Sequence, residues 1–254
     1  MRFLCLPGAF GSAKNFKVQL GPFCKELSSD GETSFFFTQG EIECSPPPGF
    51  HDYFGPAPNY RFIKQEDGIE DGEVLERIRD FPKGESAEDV LRKLVPDGQV
   101  DIRKSLTNAI NAVYRTMDEH GPFDGLCAYS EGAFVASTLI LEEQRKFVEE
   151  GIPRRIKAVV FFSGWPPLQL RDNKLLLADT CEELIDIPTC HVVGAGDPFL
   201  KGSVALYNIC DEDTAILFDH GKGHTLPRDA KTLKELAITI RRIVREDDET
   251  DESV

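Results

Sequence analysis

The fold of this chain is decided by the stretch Gly125-Leu126-Cys127-Ala128-Tyr129-Ser130-Glu131-Gly132-Ala133. Its apolar beginning predicts a buried strand, and the small residues after Ser130 predict a closely packed helix. A serine at such a junction is typical of a sharp strand–turn–helix elbow, which exposes the hydroxyl at the edge of a sheet. The usual elbow pattern is G-x-S-x-G, and Ala128 adds only one methyl group at its first position. The alternative is a serine that merely caps the helix.

Five further apolar runs have the composition of buried parallel strands, because several are apolar almost throughout. They span residues 2–6, 34–38, 158–163, 189–193 and 215–219. Amphipathic helices lie between them, with apolar residues at three- and four-residue spacing from Ile102 to Met117 and from Leu233 to Val244. The alternation predicts an α/β protein with a doubly wound, mostly parallel sheet of about six strands and helices on both faces.

An acid and a histidine follow two of the later strands. Asp197 comes after the run 189–193, and His224 lies in a glycine-rich loop after the run 215–219. The order serine, acid, histidine, each at a strand end, is that of the α/β-hydrolase triad. Because parallel strands bring their carboxyl ends to one edge of a sheet, we expect Ser130, Asp197 and His224 to meet there.

Each of these two assignments has competitors. His220 is the alternative to His224, although it directly follows the strand and has the setting of a packed or hydrogen-bonded histidine. Asp213 and Asp219 are the alternatives to Asp197, and a solvated surface position is the other interpretation of each.

The chemistry requires these residue types together. A serine hydroxyl is a weak nucleophile until a base takes its proton, and the acid fixes the tautomer of the histidine and stabilises its charged form. Acyl transfer also needs two donors for the oxyanion. We expect the backbone N–H of Glu131 to be one, and that of Ala9 or Phe10, in the glycine turn after the first strand, to be the other.

The segment from about residue 40 to residue 100 interrupts the rhythm of strands and helices. It begins with a proline-rich run at 45–49 and continues with several aromatic residues. Long insertions of this kind often cover an active site, and the alternative is a satellite core under a long loop. Residues expected to line a substrate pocket are Phe50, Tyr53, Phe54 and Tyr60, with Trp165 from a later loop. We expect one domain over 1–245, followed by an acidic, disordered tail at 246–254.

Composition excludes several classes of protein. The 254 residues are 41% hydrophobic and 29% charged, and the net charge of −15 disfavours a nucleic-acid partner. No apolar run approaches the roughly 20 residues that span a bilayer, and the short N-terminal run predicts a strand instead of a signal peptide. Seven scattered cysteines favour a reducing, cytoplasmic location, and the absence of clustered Cys and His ligands predicts that there is no structural zinc site.

Several motifs together resemble the fungal-type serine hydrolases known as the FSH family. They are Phe3-Leu4-Cys5-Leu6-Pro7-Gly8, the elbow at Ser130, Phe161-Phe162-Ser163-Gly164, Asp197, and the run from His220 through His224 to Pro227. The resemblance covers Arg2 to about Arg245. Family members commonly have His-Gly, Gly-Phe-Ser-Gln-Gly and Gly-Gly-His, where this chain has Pro7-Gly8, Ala128-Tyr129-Ser130-Glu131-Gly132 and Lys222-Gly223-His224.

The resemblance implies an α/β-hydrolase fold with little or no separate cap, acting on esters and thioesters without metal or cofactor. Some members release a polyketide chain from an acyl carrier protein, by water or by an internal hydroxyl that closes a lactone. We therefore expect a thioesterase working through a Ser130 acyl-enzyme. The alternatives are a general carboxylesterase for small esters and a non-catalytic protein that binds an apolar ligand. An acidic carrier protein would need a basic surface, for which the candidates are Lys14, Lys17, Arg154, Arg155 and Lys157.

Overall fold

A computed structural model describes residues 1–47, 54–64, 85–95, 101–181 and 183–251, with side chains as far as residue 243. Its strands are β1 (Arg2–Leu6), β2 (Ser34–Phe37), β3 (Ile42–Cys44), β4 (Asn59–Arg61), β5 (Gly125–Tyr129), β6 (Ala158–Phe162), β7 (Leu168–Gln169), β8 (Lys174–Leu175), β9 (Thr189–Val193) and β10 (Ala215–Asp219). Its helices are α1 (Ala13–Leu27), α2 (Ala87–Leu94), α3 (Arg103–His120), α4 (Glu131–Glu150), α5 (Leu200–Asn208) and α6 (Ala230–Asp251), with a short 3₁₀ turn at Ser28–Asp30.

The central sheet has six parallel strands in the order β10-β9-β6-β5-β1-β2. The inner strands β5, β6 and β9 are buried along their whole length, while the edge strands β2 and β10 are partly exposed. This distribution explains the apolar runs, because an inner parallel strand is covered by helices on both faces. All six strands of the sheet were predicted from the sequence, with β2 and β6 each ending one residue earlier than expected.

Two helical layers bury the two faces of the sheet. On one face, α1 and α6 contribute large apolar side chains such as Phe16, Phe23 and Ile240 to one core. On the other, α3 and α4 pack residues such as Ile110 and Leu139 against the sheet. The expected doubly wound architecture is therefore confirmed. In the C-terminal region, helix α6 continues to Asp251, into the acidic segment for which the sequence predicts disorder.

Strands are added to the sheet first on one side of β1 and then on the other. From β1 the chain moves outward to β2, then returns to place β5 on the other side of β1, and adds β6, β9 and β10 in turn. The carboxyl ends of β1 and β5 therefore border a crevice at a topological switch point, the usual position for a ligand site in an open α/β sheet. The loop after β1 and Ser130 after β5 lie on this crevice.

The described parts of the insertion are more regular than the sequence suggests. Strands β3 and β4 form an antiparallel hairpin, and Gly11 forms an isolated antiparallel bridge with Tyr60 of β4. Helix α2 packs on α5, where Leu91 and Ala205 share a small apolar cluster. The insertion thus adds a hairpin beside the loop after β1. No helix among the described residues is long and apolar enough to cross a membrane.

A buried histidine, His191 in β9, makes the stability of this fold depend on pH. Its imidazole is 1% exposed and lies between the rings of Phe161 and Tyr207. The Nε2 atom lies 3.0 Å from the hydroxyl of Thr189. Burial lowers the pKa of His191 to about 3, because the charged form loses its solvation inside the protein.

We predict that acid destabilises the protein through His191. Between about pH 6.5 and pH 3 the unfolded chain binds a proton on this residue and the folded chain does not, so the free energy of unfolding falls as the pH falls. In His191→Gln, the slope of this free energy against pH should be smaller by up to about 1.4 kcal/mol per pH unit, as measured by urea unfolding between pH 6 and pH 4. Equal slopes in the wild-type protein and in His191→Gln would contradict the prediction.

Candidate active site

Ser130 lies in a strained turn between β5 and α4. Its backbone has φ 53° and ψ −116°, a conformation that costs a non-glycine residue of the order of 1–3 kcal/mol. The turn is held by the Ser130 N–H, which donates to the carbonyl of Phe162 in the neighbouring strand over 3.0 Å, and by the Ser130 carbonyl, which accepts from Ala133. The hydroxyl makes no capping bond to the helix. The structure therefore contradicts the interpretation of Ser130 as a simple helix cap.

Two loops bring an acid and a histidine to the same edge of the sheet. Asp197 lies in the loop between β9 and α5, and His224 lies in the loop after β10. The loops touch, because Gly196 N–H donates to the carbonyl of Lys222 over 2.9 Å. A side chain at Gly194 would have no room, since a Cβ atom there would lie 2.1 Å from the same carbonyl oxygen. The glycines of the two loops thus permit the close approach.

Ser130, His224 and Asp197 form one hydrogen-bonded chain. The Ser130 Oγ atom lies 3.1 Å from His224 Nε2, and His224 Nδ1 lies 2.8 Å from Asp197 Oδ2. The side chain of Asp197 is 1% exposed, whereas that of His224 is 24% exposed. The hydrogen bonds therefore run from a buried carboxylate to a hydroxyl at the surface of the crevice. This order is suited to moving a proton off the serine.

Asp197 is held in its charged form by three groups. Burial acts to raise its pKa, but hydrogen bonding and charge at His224, the Phe199 N–H and the Ser163 hydroxyl outweigh it, so the pKa lies below its ordinary value. The Phe199 N–H donates to Oδ1 over 2.8 Å, and the Ser163 hydroxyl donates to Oδ2 over 2.8 Å. The sequence predicted neither donor, although Ser163 lies in the Phe-Phe-Ser-Gly motif of the resemblance.

Aromatic rings flank the imidazole of His224. The Tyr129 ring lies 5.2 Å from it and the Phe199 ring 4.7 Å, between ring centroids. The Tyr129 hydroxyl also donates to the backbone carbonyl of His224 over 3.0 Å. These contacts fix both the ring and the backbone of His224. Nothing local in the sequence marks Tyr129 or Phe199 for this position.

The competing residues have different surroundings. Both ring nitrogens of His220 are buried without a hydrogen-bond partner among the described residues, and burial lowers its pKa. The Asp219 carboxylate accepts from the N–H groups of Ala195 and Gly221 over 2.9 and 2.7 Å, and so ties the two loops together. Asp213 lies in an exposed turn before β10. None of the three joins the hydrogen-bonded chain of Ser130.

The loop after β1 packs against the elbow. Phe10 has a positive φ of 62°, and its carbonyl accepts from the side-chain amide of Asn59 over 2.9 Å. At Gly132 in the first turn of α4, a Cβ atom would lie 2.4 Å from the carbonyl oxygen of Pro7 and 2.7 Å from that of Leu6. The loop carrying Ala9 and Phe10 is therefore held in direct contact with the turn carrying Ser130 and Glu131.

The side chain of Glu131 turns away from solvent and meets the insertion. Its Oε2 atom pairs with the guanidinium of Arg61 at 3.1 Å, and its Oε1 atom accepts from the Phe62 N–H over 2.6 Å. This contact was not predicted, because Arg61 and Phe62 lie 70 and 69 positions before Glu131 in the chain. Residues so far apart carry no local sequence signal that they pair.

The residues expected to line a pocket separate into three groups. Phe50 and Tyr53 lie outside the described residues. Phe54 and Tyr60 lie beside the loop after β1, with the Phe54 ring 5.1 Å from that of Phe10. Trp165 is on the side of His224, where its ring lies 6.5 Å from that of Phe199. Among the described residues, no three His, Cys, Asp or Glu side chains cluster as metal ligands would.

Comparison with known proteins gives a consistent result. A family model described as "Serine hydrolase (FSH1)" matches residues 1–236. The hydrolase phiM of Talaromyces stipitatus is 25% identical over 248 residues, which cover 96% of this chain and 87% of that protein. The esterase FPY3 of Fusarium mangiferae is 24% identical over 251 residues, covering 96% of this chain and 97% of that one. The crystal structure of Arabidopsis thaliana SOBER1 is 16% identical and shares the fold, with a TM-score of 0.52 over 96% of this chain and 100% of that one.

The parallel sheet and its helical layers define an α/β-hydrolase. Within that class, the chain belongs to the FSH1 family of serine hydrolases, whose model matches nearly all of it. The resemblance inferred from the sequence motifs is therefore confirmed.

We predict that the contact at Gly132 is essential to the elbow. Gly132→Ala should lower the free energy of unfolding by about 2–3 kcal/mol, because the added methyl meets two backbone carbonyls that have little room to move. The control is Gly21→Ala in α1, where a Cβ meets nothing within 4 Å, and we expect a change below about 1 kcal/mol. Chemical unfolding of both variants makes the comparison, and equal stability of the two would contradict the close packing.

Proposed function

We propose that this serine hydrolase cleaves acyl esters and thioesters through an acyl-enzyme on Ser130, with His224 as the base and Asp197 as the residue that orients it. The hydrogen-bonded chain from Ser130 through His224 to Asp197 is the observation that carries the proposal. Both distances lie within or near the range in which a base accepts a proton from a nucleophile.

The reaction proceeds in two steps. As Ser130 Oγ attacks the acyl carbon, its proton passes to His224 Nε2, and the imidazolium is stabilised by the Asp197 carboxylate. His224 then gives this proton to the departing alcohol or thiol as the bond from acyl carbon to leaving group breaks. In the second step a water or a substrate hydroxyl loses a proton to His224 and attacks the acyl carbon. The bond from the acyl carbon to Ser130 Oγ then breaks, His224 returns the proton to Oγ, and the acid or lactone leaves.

The negative oxygen of each tetrahedral intermediate needs donors. The proposed donors are the backbone N–H of Glu131 and that of Ala9 or Phe10. The contact of the β1 loop with the elbow at Gly132 supports this assignment, because it holds the two segments side by side. Donors of this kind each lower the barrier by roughly 3–4 kcal/mol.

We propose a thioesterase as the first candidate, releasing an acyl or polyketide chain from an acyl carrier protein. The candidate cations for a docking surface divide into two groups. Lys14 and Lys17 are exposed on the first turns of α1, which directly follows the β1 loop. Arg154, Arg155 and Lys157 precede β6 and so lie at the opposite edge of the sheet from Ser130. Arg154 and Arg155 also pair with Asp186 and Asp118. The proposed docking surface is therefore Lys14 and Lys17.

The second candidate is a general carboxylesterase for small esters, which would use the same residues. The aromatic rings on both sides of the site favour an apolar acyl group in either case. Phe54 packs on Phe10 in the loop of the proposed oxyanion donors. On the other side, Phe199 packs on His224, and Trp165 contacts Phe199. We also propose one domain over 1–245, because the six-stranded sheet combines β1 and β2 from the N-terminal part of the chain with β9 and β10 from its C-terminal part. A reducing, cytoplasmic setting is supported by seven free thiols.

We predict that Ser130 is an activated nucleophile. A fluorophosphonate should add once to the wild-type protein and not to Ser130→Ala, as read from intact mass, while the control Ser29→Ala on the exposed turn after α1 should react as wild type. Asp197→Asn should lower kcat on a short p-nitrophenyl ester by about 10³–10⁴-fold, because the imidazole loses its correct tautomer. A folded wild-type protein that forms no adduct would favour the non-catalytic, ligand-binding alternative.

We predict that Lys14 and Lys17 act only on carrier-bound substrates. The double variant Lys14→Glu/Lys17→Glu should raise KM for an acyl carrier protein thioester by tenfold or more, because two attractive charges become repulsive. It should leave turnover of the acyl N-acetylcysteamine thioester unchanged. Arg154→Glu/Arg155→Glu is the matched control at the far edge of the sheet. Equal KM values for the two double variants would contradict the docking surface, and turnover of oxygen esters alone would favour the carboxylesterase.

A further inference from the structure

Glu131 places a buried carboxylate beside the proposed oxyanion hole. Its backbone N–H is the proposed oxyanion donor, and its own carboxylate is only two methylene groups from its Cα. The carboxylate is 10% exposed and therefore poorly screened by water. Burial raises the pKa of Glu131, while the charge of Arg61 and hydrogen bonds from the insertion act to lower it. A buried negative charge near a developing oxyanion opposes catalysis unless another group compensates it.

Arg61 supplies that compensation. Its guanidinium is 15% exposed and donates to Glu131 Oε2 from Nε over 3.3 Å and from Nη2 over 3.1 Å. Both groups are therefore largely removed from solvent, where the attraction between opposite charges is screened less than at an open surface. The adjacent Phe62 N–H adds a third bond to the same carboxylate.

The same strand also holds the other side of the proposed oxyanion hole. The guanidinium carbon of Arg61 lies 5.3 Å from the ring centroid of Phe10, a cation–π distance. The Asn59 amide donates to the Phe10 carbonyl over 2.9 Å, and Tyr60 bridges to Gly11. Strand β4 of the insertion thus contacts the segments that carry both proposed donors.

We propose that Arg61 is a positioning residue of the oxyanion hole, which neutralises the Glu131 carboxylate and holds the Glu131 and Phe10 segments in place. The inference rests on the proposed function, since it assumes that the N–H of Glu131 faces the oxyanion. It assigns the described part of the insertion a role in catalysis in addition to any role in covering substrate. Arg61 acts through Glu131 and Phe10, without contacting the reacting atoms itself.

The test is a double-mutant cycle on a short p-nitrophenyl ester. The assay is run at alkaline pH, which keeps Glu131 ionised although burial raises the pKa of its carboxyl group. Arg61→Gln then leaves the buried carboxylate uncompensated, so kcat should fall about 10–100-fold while KM changes less than threefold. Glu131→Gln keeps an oxygen to accept from Phe62 and removes the charge, so it serves as the background in which Arg61→Gln is compared again. The double variant Arg61→Gln/Glu131→Gln should recover most of the activity that Arg61→Gln loses. A purely structural ion pair can show the same recovery in stability, so the free energy of unfolding of each variant is measured beside kcat, and the loss of kcat in Arg61→Gln should exceed the fraction of protein that is unfolded.

A second measurement tests the oxyanion itself. The inhibition constant of a trifluoromethyl ketone, whose serine adduct carries an oxyanion, should rise in Arg61→Gln by about the factor by which kcat falls. Arg61→Lys, which retains the positive charge, should lie between Arg61→Gln and wild type. Arg145→Gln is the matched control, because the Arg145 side chain is 13% exposed and pairs with Glu183, which is 32% exposed, towards the C-terminal end of α4 and away from Ser130. It should leave kcat and inhibition unchanged.

The outcomes separate the two proposals. If the wild-type protein takes up fluorophosphonate and Arg61→Gln turns over as wild type, the role of Arg61 is wrong and the proposed function stands. The same conclusion follows if the double variant is as impaired as Arg61→Gln, with both shown to be folded by circular dichroism. If the wild-type protein takes up no fluorophosphonate, the proposed function and the role of Arg61 fail together.

Discussion

The arrangement of the site depends on the left-handed backbone at Ser130. A residue with a side chain adopts this conformation only when its surroundings hold it there, since the strain amounts to a few kcal/mol. Here the N–H of Ser130 is bonded to Phe162 in the adjacent strand, and Gly132 lets the following helix approach the β1 loop closely. The parallel sheet therefore sets the position of the hydroxyl, and the strain is offset by hydrogen bonding and packing elsewhere in the fold.

The remaining parts of the site are positioned by contacts between loops. Asp219 ties the acid loop to the histidine loop, and Ser163 and Phe199 hold the Asp197 carboxylate from the other side. The insertion makes an equivalent contribution at the opposite flank through β4. Each loop therefore depends on at least one neighbour, which is a general requirement for groups that have to stay within a few tenths of an ångström.

Particular elements show why some features were predictable. The inner strands were found because burial on both faces leaves a continuous apolar run such as Ala158–Phe162. The helices α3 and α6 were found because each buries only one face. The short hairpins β3–β4 and β7–β8 were missed, since strands of two or three residues leave no readable periodicity. The predicted chain order of serine, acid and histidine follows from topology, because each residue ends a strand of one parallel sheet.

By itself, the sequence determined the class of fold, the family and the three residues that meet at the edge of the sheet. These features depend on local patterns: apolar runs, helical spacing and small residues around Ser130. The tertiary structure alone decided that Arg61 pairs with Glu131, that Asn59 holds Phe10 and that Ser163 donates to Asp197. Such contacts join residues far apart in the chain, and their formation depends on how loops pack, for which the order of residues carries no local signal.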